Sequence, residues 1–223
     1  MTNDSVTGST DDEALDPASM LALVEKQQRS IGIQRGGFAA VIMAAWGVAW
    51  LLGFIALWLI HGLRPGFGLP IAVGVWIFVA LMVAAIAVSA VLGIRGSQGV
   101  RTSRASNFTG TVYGMTWSVA SLALVAIGAA LFSHGMTAQL ANFYYPIAFI
   151  FLAGVLYISA GAIWHSVPSV VGGGVLVLIA ALGGFLPYPL HYLFFAIAGG
   201  GTFLVLAIHS AVHTRHLKAD ARG

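Results

Sequence analysis

Seven histidines carry most of the chemistry open to this sequence: His61, His134, His165, His191, His209, His213 and His216. A neutral imidazole is a common ligand for transition metals. His209 and His213 stand four residues apart, so on a helix they share a face. Joined by His165 from another segment, they form a candidate site for a divalent metal. Imidazoles from facing helices could also hold a haem iron from both sides. Against this stands the plainer role of an amphipathic ring at a helix end, its nitrogen reaching water or headgroups. Metal sites also tend to recruit a carboxylate, and residues 37–212 contain no Asp or Glu. The expectation is therefore no cofactor, with haem or a divalent metal as the alternative.

Trp46 and Trp50 are also four residues apart, and Trp117 falls at a comparable depth in a later segment. Together they are a candidate aromatic pocket for a cationic or apolar ligand, or else ordinary helix packing. Ser118 and Ser121 have no histidine at their depth to activate them, which argues against hydrolase chemistry. The glycine runs at 172–174, 183–184 and 199–201 lack the Lys and Ser/Thr of a phosphate-binding loop. With Ala180-x-x-x-Gly184 and Ala196-x-x-x-Gly200, they instead read as close packing of late helices. Arg95, Arg101 and Arg104 form a basic connection suited to anionic lipid headgroups. There is no cysteine, so disulfides, thiolate catalysis and Cys-based metal centres are excluded. Nothing points to an enzyme.

These residues must be positioned by elements of an unusual kind. The 223-residue chain is 59% hydrophobic and 8% charged, where a soluble domain carries about 25% charged residues. Runs of about 20 apolar residues recur, each long enough to cross roughly 30 Å of hydrocarbon as a helix. In lipid, backbone polar groups must be satisfied internally, so spans are helices or closed barrels. The continuous apolarity, without alternation, selects helices. Six spans are expected, at 38–60, 71–94, 111–132, 146–165, 170–186 and 190–212. Pro146 is read as a first-turn residue of the fourth. Residues 1–15 read as a disordered acidic tail. Asp16-Pro17 reads as the start of an amphipathic juxtamembrane helix over 16–36. Residues 37–213 form the transmembrane domain, and 214–223 a cytoplasmic basic tail.

Charge sets orientation. Lys26, Arg29, Arg35, Arg95, Arg101, Arg104, Arg215, Lys218 and Arg222 fall on one side of a six-span chain, and Arg64 alone on the other. That asymmetry places both termini in the cytoplasm. The Ala, Gly and Val content and the preference for Arg over Lys are those of a high-GC bacterium, which makes the inner (plasma) membrane the expected location. Gly47-Val48-Ala49-Trp50-Leu51 resembles Gly154-Val155-Leu156-Tyr157-Ile158, a short match of the kind left by inverted repeats. The fold expected is thus all-α: a polytopic integral membrane protein with six transmembrane helices, N-in and C-in. Its expected role is non-enzymatic, as a small transporter or an accessory or sensory membrane component. The alternative is a haem- or metal-binding redox protein using span-end histidines. Its partners would be the bilayer, and another membrane protein or a second copy. No basic, aromatic-rich patch invites nucleic acid.

Overall fold

The structure is a computed structural model, and it describes residues 16–62, 69–97 and 104–220. The chain is all-helical, with no strand among the described residues. The helices are α1 (Pro17–Gly62), α2 (Ile71–Ser97), α3 (Arg104–Ser133), α4 (Ala138–Trp164) and α5 (Val167–Gly183). A final rod follows, made of α6 (Leu190–Phe194), a π-helical segment (Phe195–Gly200) and α7 (Gly201–Asp220), joined end to end. Five of these bodies are long and apolar enough to cross a membrane: Gly32–Gly62, α2 to Gly96, α3, α4 and the rod from Leu190 to Ala219. The sixth apolar helix, α5, has 17 residues, about 26 Å at 1.5 Å per residue.

Several boundaries differ from the sequence reading, each for a local reason. The helix expected over 16–36 continues unbroken into the first span, giving 46 residues in one piece. The pair Gly36-Gly37 does not interrupt it. α4 begins eight residues before Pro146, at Ala138, where the Thr137 side chain accepts a hydrogen bond from Leu140 N at 3.2 Å. Pro146 therefore lies inside the helix and not in its first turn, and most of the expected loop before it is helical. α7 continues the last span to Asp220, so the basic tail is helical as far as it is described. Residues 1–15, where a disordered tail was expected, lie outside the described residues, as do Arg64, Arg101 and Arg222.

The core is built by α1, α4, α5 and the rod. Trp50 and Phe54 from α1 meet Ile150 and Ala153 from α4, Leu176 and Ile179 from α5, and Phe195 and Phe203 from the rod. Glycines let these helices approach. A Cβ on Gly154 would stand 2.8 Å from the Gly173 carbonyl oxygen, and one on Gly200 would stand 2.9 Å from Leu51 N and 3.0 Å from Gly47 O. Gly154, Gly173 and Gly200 thus serve backbone-to-backbone packing, as small residues do between membrane helices. α2 and α3 flank this core. Only 11% of the apolar window of α2 and 6% of that of α3 is buried, against 33% for α1 and for the rod.

Candidate functional site

Pro146 organises the polar centre of the molecule. Proline has no backbone N–H, so in mid-helix it leaves the carbonyl four residues earlier without its usual donor. That carbonyl belongs to Asn142. In a membrane helix such a freed group is satisfied from a neighbouring helix. Here His191 of α6 supplies the donor, its Nε2 lying 3.2 Å from Asn142 O. A carbonyl only accepts, so Nε2 carries the proton and Nδ1 is left as an acceptor.

His191 is fully buried, and its Nδ1 is the one buried side-chain polar atom with no hydrogen-bond partner among the described residues. Rings enclose it. Phe143 stacks on the imidazole with centroids 4.2 Å apart, Tyr192 lies at 4.0 Å, Tyr188 at 5.7 Å, and Phe195 stands edge-on at 5.8 Å. His61, the penultimate residue of α1, joins the same group through Tyr188 at 5.6 Å and Tyr192 at 5.4 Å. Its Nδ1 donates to Leu57 O at 2.8 Å, which in a neutral ring leaves Nε2 as an acceptor. The result is two imidazoles, each bonded to a backbone carbonyl, at one end of an aromatic cluster. With spans expected to end at residue 60 and to begin at residue 190, the six-span reading puts His61 and His191 at one membrane face, but it does not foresee this centre. Its signal was present: a proline inside an apolar run, and a histidine in a later one.

Beside the cluster runs an open, apolar groove of about 930 Å³ between α3 and α4. Phe143, Ile147 and Phe151 line one wall, Ala120 and Ala123 the other, and Gly184 contributes from the turn after α5. Two tyrosines pin the helices across it. Tyr113 donates to Leu156 O at 2.9 Å, and Tyr144 to Leu124 O at 2.8 Å. Phe143 belongs to both features, lining the groove and covering His191.

The residues singled out from sequence are placed as follows. Trp50 is buried in the core, T-shaped against Phe203 at 5.0 Å. Trp117 reaches the same core through Tyr157, which contacts Phe203. Trp46 donates Nε1–H to Ser89 Oγ at 3.0 Å, joining α1 to α2. All three pack with the core, and none lines the groove. His209 and His213 come together on an exposed face of α7, rings nearly parallel at 6.5 Å. His165 is exposed at the C-terminal cap of α4, in the left-handed conformation with φ 54°. It does not complete their pair: among the described residues no three His, Asp or Glu side chains group closely enough to hold a metal ion. Arg95 and Arg104 are exposed at the facing ends of α2 and α3. Comparison of the chain with protein-family models, with curated proteins and with solved structures finds no match in any of the three.

Proposed function

We propose that this chain is a six-span integral protein of the inner membrane, with both termini in the cytoplasm, that acts as a non-enzymatic accessory component of a larger membrane assembly. The observation that carries this reading is the imbalance of burial. α2 and α3 each hold a long apolar window yet are scarcely covered by their own chain, with Trp76 and Leu122 each 70% exposed. Meanwhile the space between the core helices, where a carrier would need a pathway, is filled by Trp50, Phe54, Phe195 and Phe203. This favours the accessory role over transport. The test is a photoreactive amino acid at position 76 or 122, irradiated in native membranes. Cross-links to a protein, another chain or a second copy, support the reading; adducts with lipid alone overturn it.

The sixth span rests on length and charge. A 17-residue helix lies at the lower limit for crossing hydrocarbon, about 17–25 residues. If α5 did not cross, Arg215 and Lys218 would fall on the face opposite Arg95 and Arg104, against the positive-inside tendency.

A second reading has one observation in its favour. The His209–His213 pair presents two imidazoles on one exposed face, an arrangement able to chelate a divalent metal or, with another chain, to meet a haem iron. Purified protein with a Soret band or stoichiometric metal would support a redox role. A colourless, metal-free preparation from native membranes would dismiss it.

A further inference from the structure

We infer that the buried His191 centre is the head site for a lipid-soluble molecule carrying hydroxyl donors on a planar ring, a hydroquinone with an apolar tail. This goes beyond the accessory role and rests only on the chain lying in a membrane, which the labelling experiment in the Discussion tests separately. Three observations lead to it. First, the Nδ1 of His191 is buried without a donor among the described residues, an arrangement that is costly unless something fills it. The bond to Asn142 explains why a histidine stands there and why its Nε2 is protonated; it leaves the other nitrogen unexplained. Second, the chemistry around that nitrogen is selective. Aromatic rings enclose the imidazole, and His61 meets two of the same rings, Tyr188 and Tyr192, with its Nδ1 bonded to Leu57 O. An acceptor among rings, with a second imidazole on the same cluster, matches a ring bearing hydroxyls, and no carboxylate occurs in residues 37–212 to hold a cation.

Third, an apolar groove of about 930 Å³ adjoins the centre, at the upper end of the usual range for small-molecule sites. Phe143 is the shared wall, stacked on His191 and lining the groove. Phe143 is thus the layer between the imidazole and the groove, and turning this one side chain would open His191 toward it. A polar solute would find nothing in the groove to bind. Its tyrosine hydroxyl, on Tyr144, is already donated to Leu124 O.

The test uses the full chain in lipid nanodiscs and decyl-ubiquinol as the probe, with dioctanoylglycerol as a hydroxyl-bearing lipid without the ring. Saturable binding of the quinol, with the glycerolipid unable to compete, is expected. Two substitutions separate ligand binding from structure. His191→Gln keeps a donor near the Nε2 position for Asn142 O but removes the ring acceptor. His191→Asn places an amide group near Nδ1 and gives up the bond to Asn142. Quinol affinity should fall about tenfold, the worth of roughly one hydrogen bond, in the Gln variant and be retained in the Asn variant. A purely structural His191 gives the reverse order in thermal stability and no difference in binding. Ala123→Phe, on an exposed position of the groove wall, should weaken decyl-ubiquinol without affecting a tail-less hydroquinone. No saturable binding to the wild-type chain, equal affinity in the Gln variant, or equal competition by dioctanoylglycerol would overturn the proposal.

Discussion

At the scale of single residues, the polar chemistry of this chain is a chain of debts and repayments in hydrogen bonding. Pro146 removes a donor, Asn142 O is left open, and His191 closes it at 3.2 Å. The coupling is measurable. Pro146→Ala restores the helix's own N–H to Asn142 O. His191→Phe should then cost roughly 1 kcal/mol less in the Pro146→Ala background than in the native chain. Thermal unfolding of the four variants in detergent gives the cycle; simple additivity would show that the two residues act independently. Trp46→Phe makes a smaller statement. It removes the donor to Ser89 Oγ, but Ser89 keeps its own bond to Ala85 O at 2.8 Å. The expected loss is therefore at the low end of the range for a hydrogen bond, about 0.5–1 kcal/mol, read as a lowered Tm. Neither relationship is visible in sequence, because spacing along a chain reports which residues share a helix face. It says nothing of which helix lies opposite. The histidines were legible as a class and their burial was not: His191, fully enclosed, and His165, exposed, read alike.

At the scale of elements, the glycines divide by what their missing side chains would touch. Gly154 and Gly173 bring α4 and α5 together backbone to backbone, whereas a Cβ on Gly174 meets nothing within 4 Å. Gly154→Ala should therefore destabilise by about 1–3 kcal/mol through overpacking. Gly174→Ala should stabilise by up to about 1 kcal/mol through helix propensity. Opposite shifts of Tm are the expected result, and equal shifts would contradict the packing described. The same contrast holds in the rod between Gly200, against Leu51 and Gly47, and Gly201, with nothing within 4 Å. The existence of each helix was legible from apolarity alone. Ends were less so, for definite reasons. Pro146 looked like a start because proline favours the first turn, but the Thr137 cap upstream took that role. The Gly36-Gly37 pair looked like a boundary, but Ser210 of α7 donates to Gly36 O at 3.0 Å across the seam. A neighbouring helix thus holds that position in place.

At the scale of the whole molecule, charge and length make one prediction about topology. The chain has no cysteine, so any introduced thiol is the sole target of a maleimide. Cysteines at Ser19, His165 and Lys218 should label only from the cytoplasmic side. Those at His134 and Phe185 should label only from outside, in intact cells. A molecule with five crossings would put positions 165 and 185 on one face and 19 and 218 on opposite faces. The all-helical, membrane-compatible class follows from composition. The assembly of the core did not, since α1 packs against the last helix in sequence as well as its neighbour α2.

One dimension of α1 has a mechanical meaning. Its 46 residues make a rod about 69 Å long, more than twice the roughly 30 Å thickness of hydrocarbon. The C-terminal end carries Phe54 and His61, in ring contact with the His191 cluster. The other end, beyond Gly32, extends about 20 Å past the apolar window. Such a beam magnifies angle into displacement. A tilt of about 10° pivoting at Gly62 sweeps Pro17 through about 12 Å, on the helical rise alone. A rearrangement of a few rings at one surface of the bilayer would therefore arrive at the other as a movement the size of a whole helix.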